Sequence, residues 1–175
     1  LARGVLMLDS PLIAGWRATT LGMAKHTTLV GAVSPGKVSQ RRRNRWPNMQ
    51  EAQAYFQSRA LFSQWHPQVL RDYLQHGLEA DADGQLHLRF TREVETSIYN
   101  TLPHNLSSWL ARHPLRCPVA FIGGRMSVEI KQVGMDLTRR ITQGRIHILD
   151  GTHLFPMEQP ETTVAAIEAS LLNLE

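Results

Sequence analysis

An α/β fold with a parallel sheet is the architecture this sequence predicts, and three short apolar runs predict it. They are Val5-Leu6-Met7-Leu8, Val119-Ala120-Phe121-Ile122, and the run from Arg145 to Leu149 with Ile146, Ile148 and Leu149. Each is bounded by turn residues, as strands covered on both faces are. Helical stretches follow the second and third runs. Alternation of that kind implies parallel strands joined by right-handed crossovers, side by side in chain order.

A length of 175 residues suits one domain, and a hydrophobic fraction of 42% supplies a core. Lys and Arg number 19 against 15 Asp and Glu, a formal net charge of +4. Much of the excess is local, in Arg41, Arg42, Arg43 and Arg45. No aromatic platform accompanies that cluster, so it reads as a solvated loop before a helix, and no nucleic-acid partner is expected. Cys117, the single cysteine, rules out an intrachain disulfide and points to a reducing compartment, so a cytoplasmic location is expected. No apolar run approaches the ~20 residues of a membrane span, so no membrane partner is expected. Neither His-x-x-x-His nor Cys-x-x-Cys occurs, so no metal is expected; no Gly-x-Gly-x-x-Gly or Walker string occurs, so no nucleotide cofactor is expected.

The first strand ends in Asp9-Ser10-Pro11, a turn. From Leu12 to about Val38 the character is mixed, partly helical. Asn48 and Glu51 have capping-box spacing, which predicts a helix to about Phe62 with Ala52, Phe56 and Ala60 on one face. His66-Pro67 opens another, carrying Val69, Leu70, Tyr73 and Leu74, and Gly77 stops it. Leu86, Leu88 and Phe90 alternate with His87 and Arg89 as in a short strand. Helices are expected over Glu93–Asn100 and after Asn105. Residues 12–113 thus read as a largely helical insertion, with residues 1–11 and 114–175 as the core. Ser127 can cap a helix running to about Ile141. The last helix, Pro160 to Leu172, shows Val164, Ile167 and Leu171 on one face.

His153 lies just past the third strand, in Gly151-Thr-His-Leu-Phe-Pro-Met-Glu-Gln-Pro-Glu161. Sites collect at the carboxyl ends of strands in open α/β sheets. This segment resembles the last catalytic segment of the α/β-hydrolase superfamily, a strand ending in Gly-x-His before a Pro-Glu helix start. Leu8-Asp9-Ser10-Pro11 and Cys117-Pro118-Val119 leading to Gly123-Gly124 are similar to the same family's C-terminal portion. Phe62-x-x-Trp65-x-Pro67 and Tyr73-x-x-His76-Gly77-Leu78 resemble the caps of members with small-molecule substrates. The resemblance implies the C-terminal part of an α/β-hydrolase fold, with three parallel strands, flanking helices and a helical cap insertion. It implies that His153 is the general base of a nucleophile-His-acid triad acting without a cofactor on a small ester or related electrophile. It also implies that cap aromatics line a substrate pocket, with Trp16, Phe62 and Trp65 as candidates.

The family's nucleophile motif, Gly-x-Ser-x-Gly, is absent. Gly31-Ala-Val-Ser34-Pro-Gly36 is one residue too long and follows no buried strand. The chain begins at Leu1, close to an apolar run, so its N-terminus looks cut and the nucleophile is expected outside it. Most members carry the triad aspartate where this chain has Ser127; some take it from the end of the preceding strand, where Asp9 stands. Asp9 is therefore the favoured acid and Glu129 the alternative, while Asp150 is expected only to shape the turn before His153. The expected partners are a small-molecule substrate and either the missing N-terminal half or a second copy, paired along the Val5–Leu8 edge. The competing reading is a non-catalytic ligand-binding or interaction module on an incomplete hydrolase fold.

Overall fold

The computed structural model of the chain describes residues 2–12, 42–101 and 105–174. Trp16, Ser34, His104 and most of the mixed stretch from Leu12 to Val38 lie outside them. The chain divides into two compact units, Leu1–Met23 with Pro103–Glu175, and Ala24–Leu102. In chain order the elements are β1 (Val5–Leu8), β2 (Arg45–Trp46), α1 (Met49–Gln57), α2 (Ala60–Ser63), α3 (Pro67–Gly77), β3 (Leu78–Ala80) and β4 (Leu86–Leu88). After them come α4 (Arg92–Thr101), α5 (Leu106–Arg112), β5 (Val119–Gly124), α6 (Val128–Val133), α7 (Asp136–Thr142), β6 (Ile146–Leu149), α8 (Phe155–Glu158) and α9 (Pro160–Leu172).

The first unit holds a parallel sheet in the order β1-β5-β6, the order the alternation predicts. Leu8 stands opposite Ile122, and Gly124 opposite Leu149, so β1, β5 and β6 all end at one rim. The central strand β5 is buried along its whole length, whereas β1 and β6, also expected to be covered on both faces, are half-buried or exposed along most of theirs, because each has a neighbouring strand on one side only among the described residues. Ile122, Leu149, Phe155 and Ala166 form the core, with Leu6, Leu8 and Ile167 against it.

One helical expectation is corrected here. The single helix expected from Ser127 to Ile141 is two, α6 and α7, because Gly134 takes φ +82° between them and its N–H closes α6 on the Ile130 carbonyl. On α9 the buried side chains are Thr163, Ala166 and Ser170, with Val164 and Leu171 about half exposed. Small residues form its inward stripe, and Thr163 returns its hydroxyl to the Gln159 carbonyl at 2.8 Å, so its polar group is satisfied within the helix.

The second unit is built on aromatic rings. Trp46, Phe56 and Phe62 pack with Ala52, Leu70, Leu74, Leu78 and Leu88, and Tyr55, Trp65 and Tyr73 close the cluster. Asn48 caps α1 as its spacing predicts, its Oδ1 accepting the Glu51 N–H at 2.9 Å. That helix ends at Gln57 rather than Phe62, since Arg59 turns to an extended conformation and α2 restarts the chain. The largely helical stretch also contains a three-stranded antiparallel sheet, β2-β4-β3, where the sequence shows one strand-like run. Strands of two and three residues are too short to display a period of their own. Phe90 falls outside β4 and is half exposed. Among the described residues no helix is long and apolar enough to cross a membrane.

Candidate active site

The rim where β1, β5 and β6 end assembles four polar side chains. Asp9 follows β1 directly. Its N–H continues the ladder to the Ile122 carbonyl at 2.8 Å, and its backbone then takes φ +43°. Few residues besides glycine, Asn and Asp accept that left-handed conformation, and such outliers gather at functional sites. The Asp9 carboxylate is only 1% exposed, yet every contact it makes is a donor. Oδ1 accepts the Gly124 N–H at 2.7 Å, and Oδ2 accepts the Ser127 hydroxyl at 2.5 Å. His153 Nδ1 lies 2.7 Å from the same Oδ2.

His153 reaches that point through a tightly built loop. Met126 donates its N–H to the Gly151 carbonyl at 2.9 Å, and Arg125 donates to Leu149 at 2.8 Å. A Cβ on Gly124 would stand 2.2 Å from the Thr152 carbonyl oxygen, so only glycine lets β5 and this loop approach so closely. Gly151, at φ +147°, is similarly confined, a Cβ there meeting Phe155 Cβ at 2.6 Å. Glu158 clamps the next residue, accepting the Thr152 N–H at 3.0 Å and the Thr152 hydroxyl. Asp150 does more than shape the turn: it pairs with Arg125 at 2.6 Å, and its carbonyl takes the Gln159 side-chain amide at 2.7 Å.

The tautomer follows from these contacts. A carboxylate oxygen can only accept, so Nδ1 carries a proton toward Asp9, leaving Nε2 with its lone pair. The imidazole pKa is raised above its ordinary 6.5, chiefly by the hydrogen bond to Asp9; partial burial opposes this, and the Glu129 charge adds to it. Glu129 Oε2 is 3.9 Å from Nδ1, and its side chain is 45% exposed. Among the described residues no serine, threonine or cysteine hydrogen-bonds Nε2. Asp9, Glu129 and His153 also form, among the described residues, a group of side chains of the types that can ligate a metal, with one such atom of each within 4.8 Å of the others. The 2.7 Å separation of Nδ1 and Oδ2 is that of a hydrogen bond. Two ligands of one zinc, each at about 2.0–2.1 Å in tetrahedral geometry, stand farther apart than that.

The rim brings Asp9, Glu129 and His153 together. Ser127, which the sequence marks as a helix cap and as the residue standing in the usual acid's place, is 1% exposed and belongs to the same network. Nothing local in the sequence signals that contact, since Ser127 and Asp9 stand 118 positions apart. Phe62 and Trp65, in the second unit, stack at 4.7 Å between centroids and line a cavity of about 240 Å³ with Leu70, Leu74 and Arg71. Trp16 lies outside the described residues. Trp46 and Phe56, of the same unit, are fully buried in its core.

Three parallel strands in this order, with flanking helices, match part of the α/β-hydrolase fold. Solved structures bear this out. E-2-(acetamidomethylene)succinate hydrolase matches 98% of the chain with a TM-score of 0.64 at 18% identity. A peroxisomal α/β-hydrolase of Saccharomyces cerevisiae matches 98% with a TM-score of 0.65 at 13% identity. An esterase of Mycobacterium tuberculosis matches 98% with a TM-score of 0.62 at 16% identity. The chain spans 58%, 46% and 55% of those structures' lengths, respectively. At such identities the likeness is one of fold. No protein-family profile and no curated protein matches the sequence.

Proposed function

We propose that His153 is the general base, and Asp9 its orienting acid, of a hydrolase that cleaves a small ester or related electrophile without a cofactor. The nucleophile of this triad lies outside the present sequence. The observation that carries the reading is the 2.7 Å contact between His153 Nδ1 and a buried, otherwise donor-saturated Asp9. Nε2 takes the proton of the attacking group; the Asp9 carboxylate stabilises the resulting imidazolium; Nε2–H then returns the proton to the leaving group. The neighbouring fold of esterases and other hydrolases supports the class. Phe62 and Trp65, with their cavity, are proposed as part of the substrate pocket. The free edge of β1, which pairs only with β5 among the described residues, is proposed to meet the nucleophile-bearing segment.

The test is turnover of an aryl ester by a protein in which this segment is joined to a nucleophile-bearing one. His153→Ala should reduce kcat there by at least ~10⁴-fold. Clear turnover by the 175-residue chain alone, lost on His153→Ala, would contradict an external nucleophile. Full activity of His153→Ala in the joined protein would leave the non-catalytic binding module as the better account.

A further inference from the structure

Ser127 Oγ stands between two carboxylates, 2.5 Å from Asp9 Oδ2 and 3.3 Å from Glu129 Oε2. It also caps α6, accepting the Ile130 N–H at 3.1 Å. One hydroxyl has one proton, and the shorter distance directs it to Asp9. Glu129 therefore stands beside the network without receiving that proton. Its Oε2 lies 3.9 Å from His153 Nδ1, near enough for direct attraction between a carboxylate and an imidazolium.

We propose that Glu129 is a second carboxylate for the base, sharing with Asp9 the positive charge that His153 carries when protonated. Glu129 is a positioning residue: it touches no reacting atom and acts through the imidazole. The proposal deepens the triad reading and rests on it for its catalytic meaning, but the electrostatic claim concerns only groups within this chain. A carboxylate in the first turn of a helix has an ordinary use, pairing with the helix N-terminus, and that use would leave His153 untouched. The other charged groups nearby are already engaged. Glu158, from α8, is held by Thr152, and Asp150 is held by Arg125. That leaves Asp9, from the end of β1, and Glu129, from α6, as the charges acting on the ring.

The test is a titration of the His153 ring protons by NMR in the full chain. The variants are Glu129→Gln, Glu129→Lys, Asp9→Asn and the double variant Asp9→Asn with Glu129→Gln. Glu129→Gln should move the midpoint to lower pH, and Glu129→Lys farther in the same direction. Asp9→Asn should move it more than Glu129→Gln, and the double variant should lie below Asp9→Asn alone. Raising the salt concentration should shrink the difference between wild type and Glu129→Gln, because the pair is partly exposed. Should Asp9→Asn fail to fold, the Glu129 variants still decide, since that side chain is about half exposed. Unmoved midpoints in both Glu129→Gln and Glu129→Lys would overturn the proposal. Loss of the triad reading would appear separately, as ester turnover in the joined protein that ignores His153→Ala while the midpoints still shift.

Discussion

Beside His153 two polar side chains, Asp9 and Ser127, are fully buried, and each is hydrogen-bonded. In the Ala24–Leu102 unit the largest fully buried side chains are Trp46 and Phe56, packed at 5.2 Å between ring centroids. There, the indole nitrogens of Trp46 and Trp65 are buried without a partner among the described residues. The difference separates two uses of burial. Apolar burial stabilises in proportion to area and asks little of direction. A buried carboxylate is tolerable only where donors meet it at fixed angles, so the β1-β5-β6 rim is constrained atom by atom. Substitutions in the two places should accordingly fail in different currencies: chemistry at the rim, stability in the aromatic cluster.

The largest expected effect is at Asp9. In the joined, active protein Asp9→Asn should lower kcat by about 10⁴-fold, because an amide cannot hold the same tautomer or stabilise the imidazolium. Ser127→Ala and Glu129→Gln should cost far less, since each leaves the Asp9–His153 contact in place. If Glu129→Gln proves the crippling change and Asp9→Asn mild, the acid is Glu129 and the comparison breaks at its centre. Circular dichroism of each variant separates lost chemistry from lost fold.

Phe56→Ala should act in the opposite sense. Emptying the centre of the aromatic cluster should cost about 3–5 kcal/mol of stability by urea unfolding. The same variant should leave the His153 titration midpoint where it is. A shifted midpoint would mean that the aromatic unit sets the electrostatics of the rim, and the separation drawn above would fail.

The parts of the molecule that showed in the sequence are those with a strong period or a strict spacing. Four consecutive apolar residues at Val5–Leu8 and Val119–Ile122 suffice to mark parallel strands, and the crossover rule then orders them, but the run does not fix burial: Val119–Gly124 is buried throughout, while Val5 is exposed and Leu6 to Leu8 are half-buried. Asn48 and Glu51 mark a cap because the spacing itself is the mechanism. The short antiparallel strands escaped because two or three residues have no period, and Arg45–Trp46 gains its pairing only from Leu86–Leu88. On α9 the apolar spacing of Val164, Ile167 and Leu171 does not mark the buried positions: Ile167 packs against the core, but the buried side chains are the small Thr163, Ala166 and Ser170, which close packing on a sheet can prefer over larger ones. At the rim, His153 and Asp9 were visible as strand-end residues. The Ser127 contact was not, because a hydrogen bond between residues 118 positions apart leaves no local pattern.

The smallest expected effect is the pH dependence of stability, and its sign is fixed by the raised His153 pKa. The folded state holds the imidazole proton more tightly than the unfolded chain, whose value is near 6.5. The stability contributed by the protonated pair is therefore complete below about pH 6.5 and is lost as pH rises through the folded-state pKa. The ring is 42% exposed, so solvent screens the interaction, and the difference should be ~1 kcal/mol or less. Urea unfolding from about pH 6 to about pH 9, compared between wild type and His153→Gln, isolates it. Wild type should lose its advantage across the same interval in which a base at Nε2 becomes neutral and turnover in the joined protein rises. Stability and activity should thus run in opposite directions through a midpoint above the ordinary histidine value. A stability curve that keeps its slope in His153→Gln, or an activity limb whose midpoint lies below 6.5, would show that His153 is not the group linking the two.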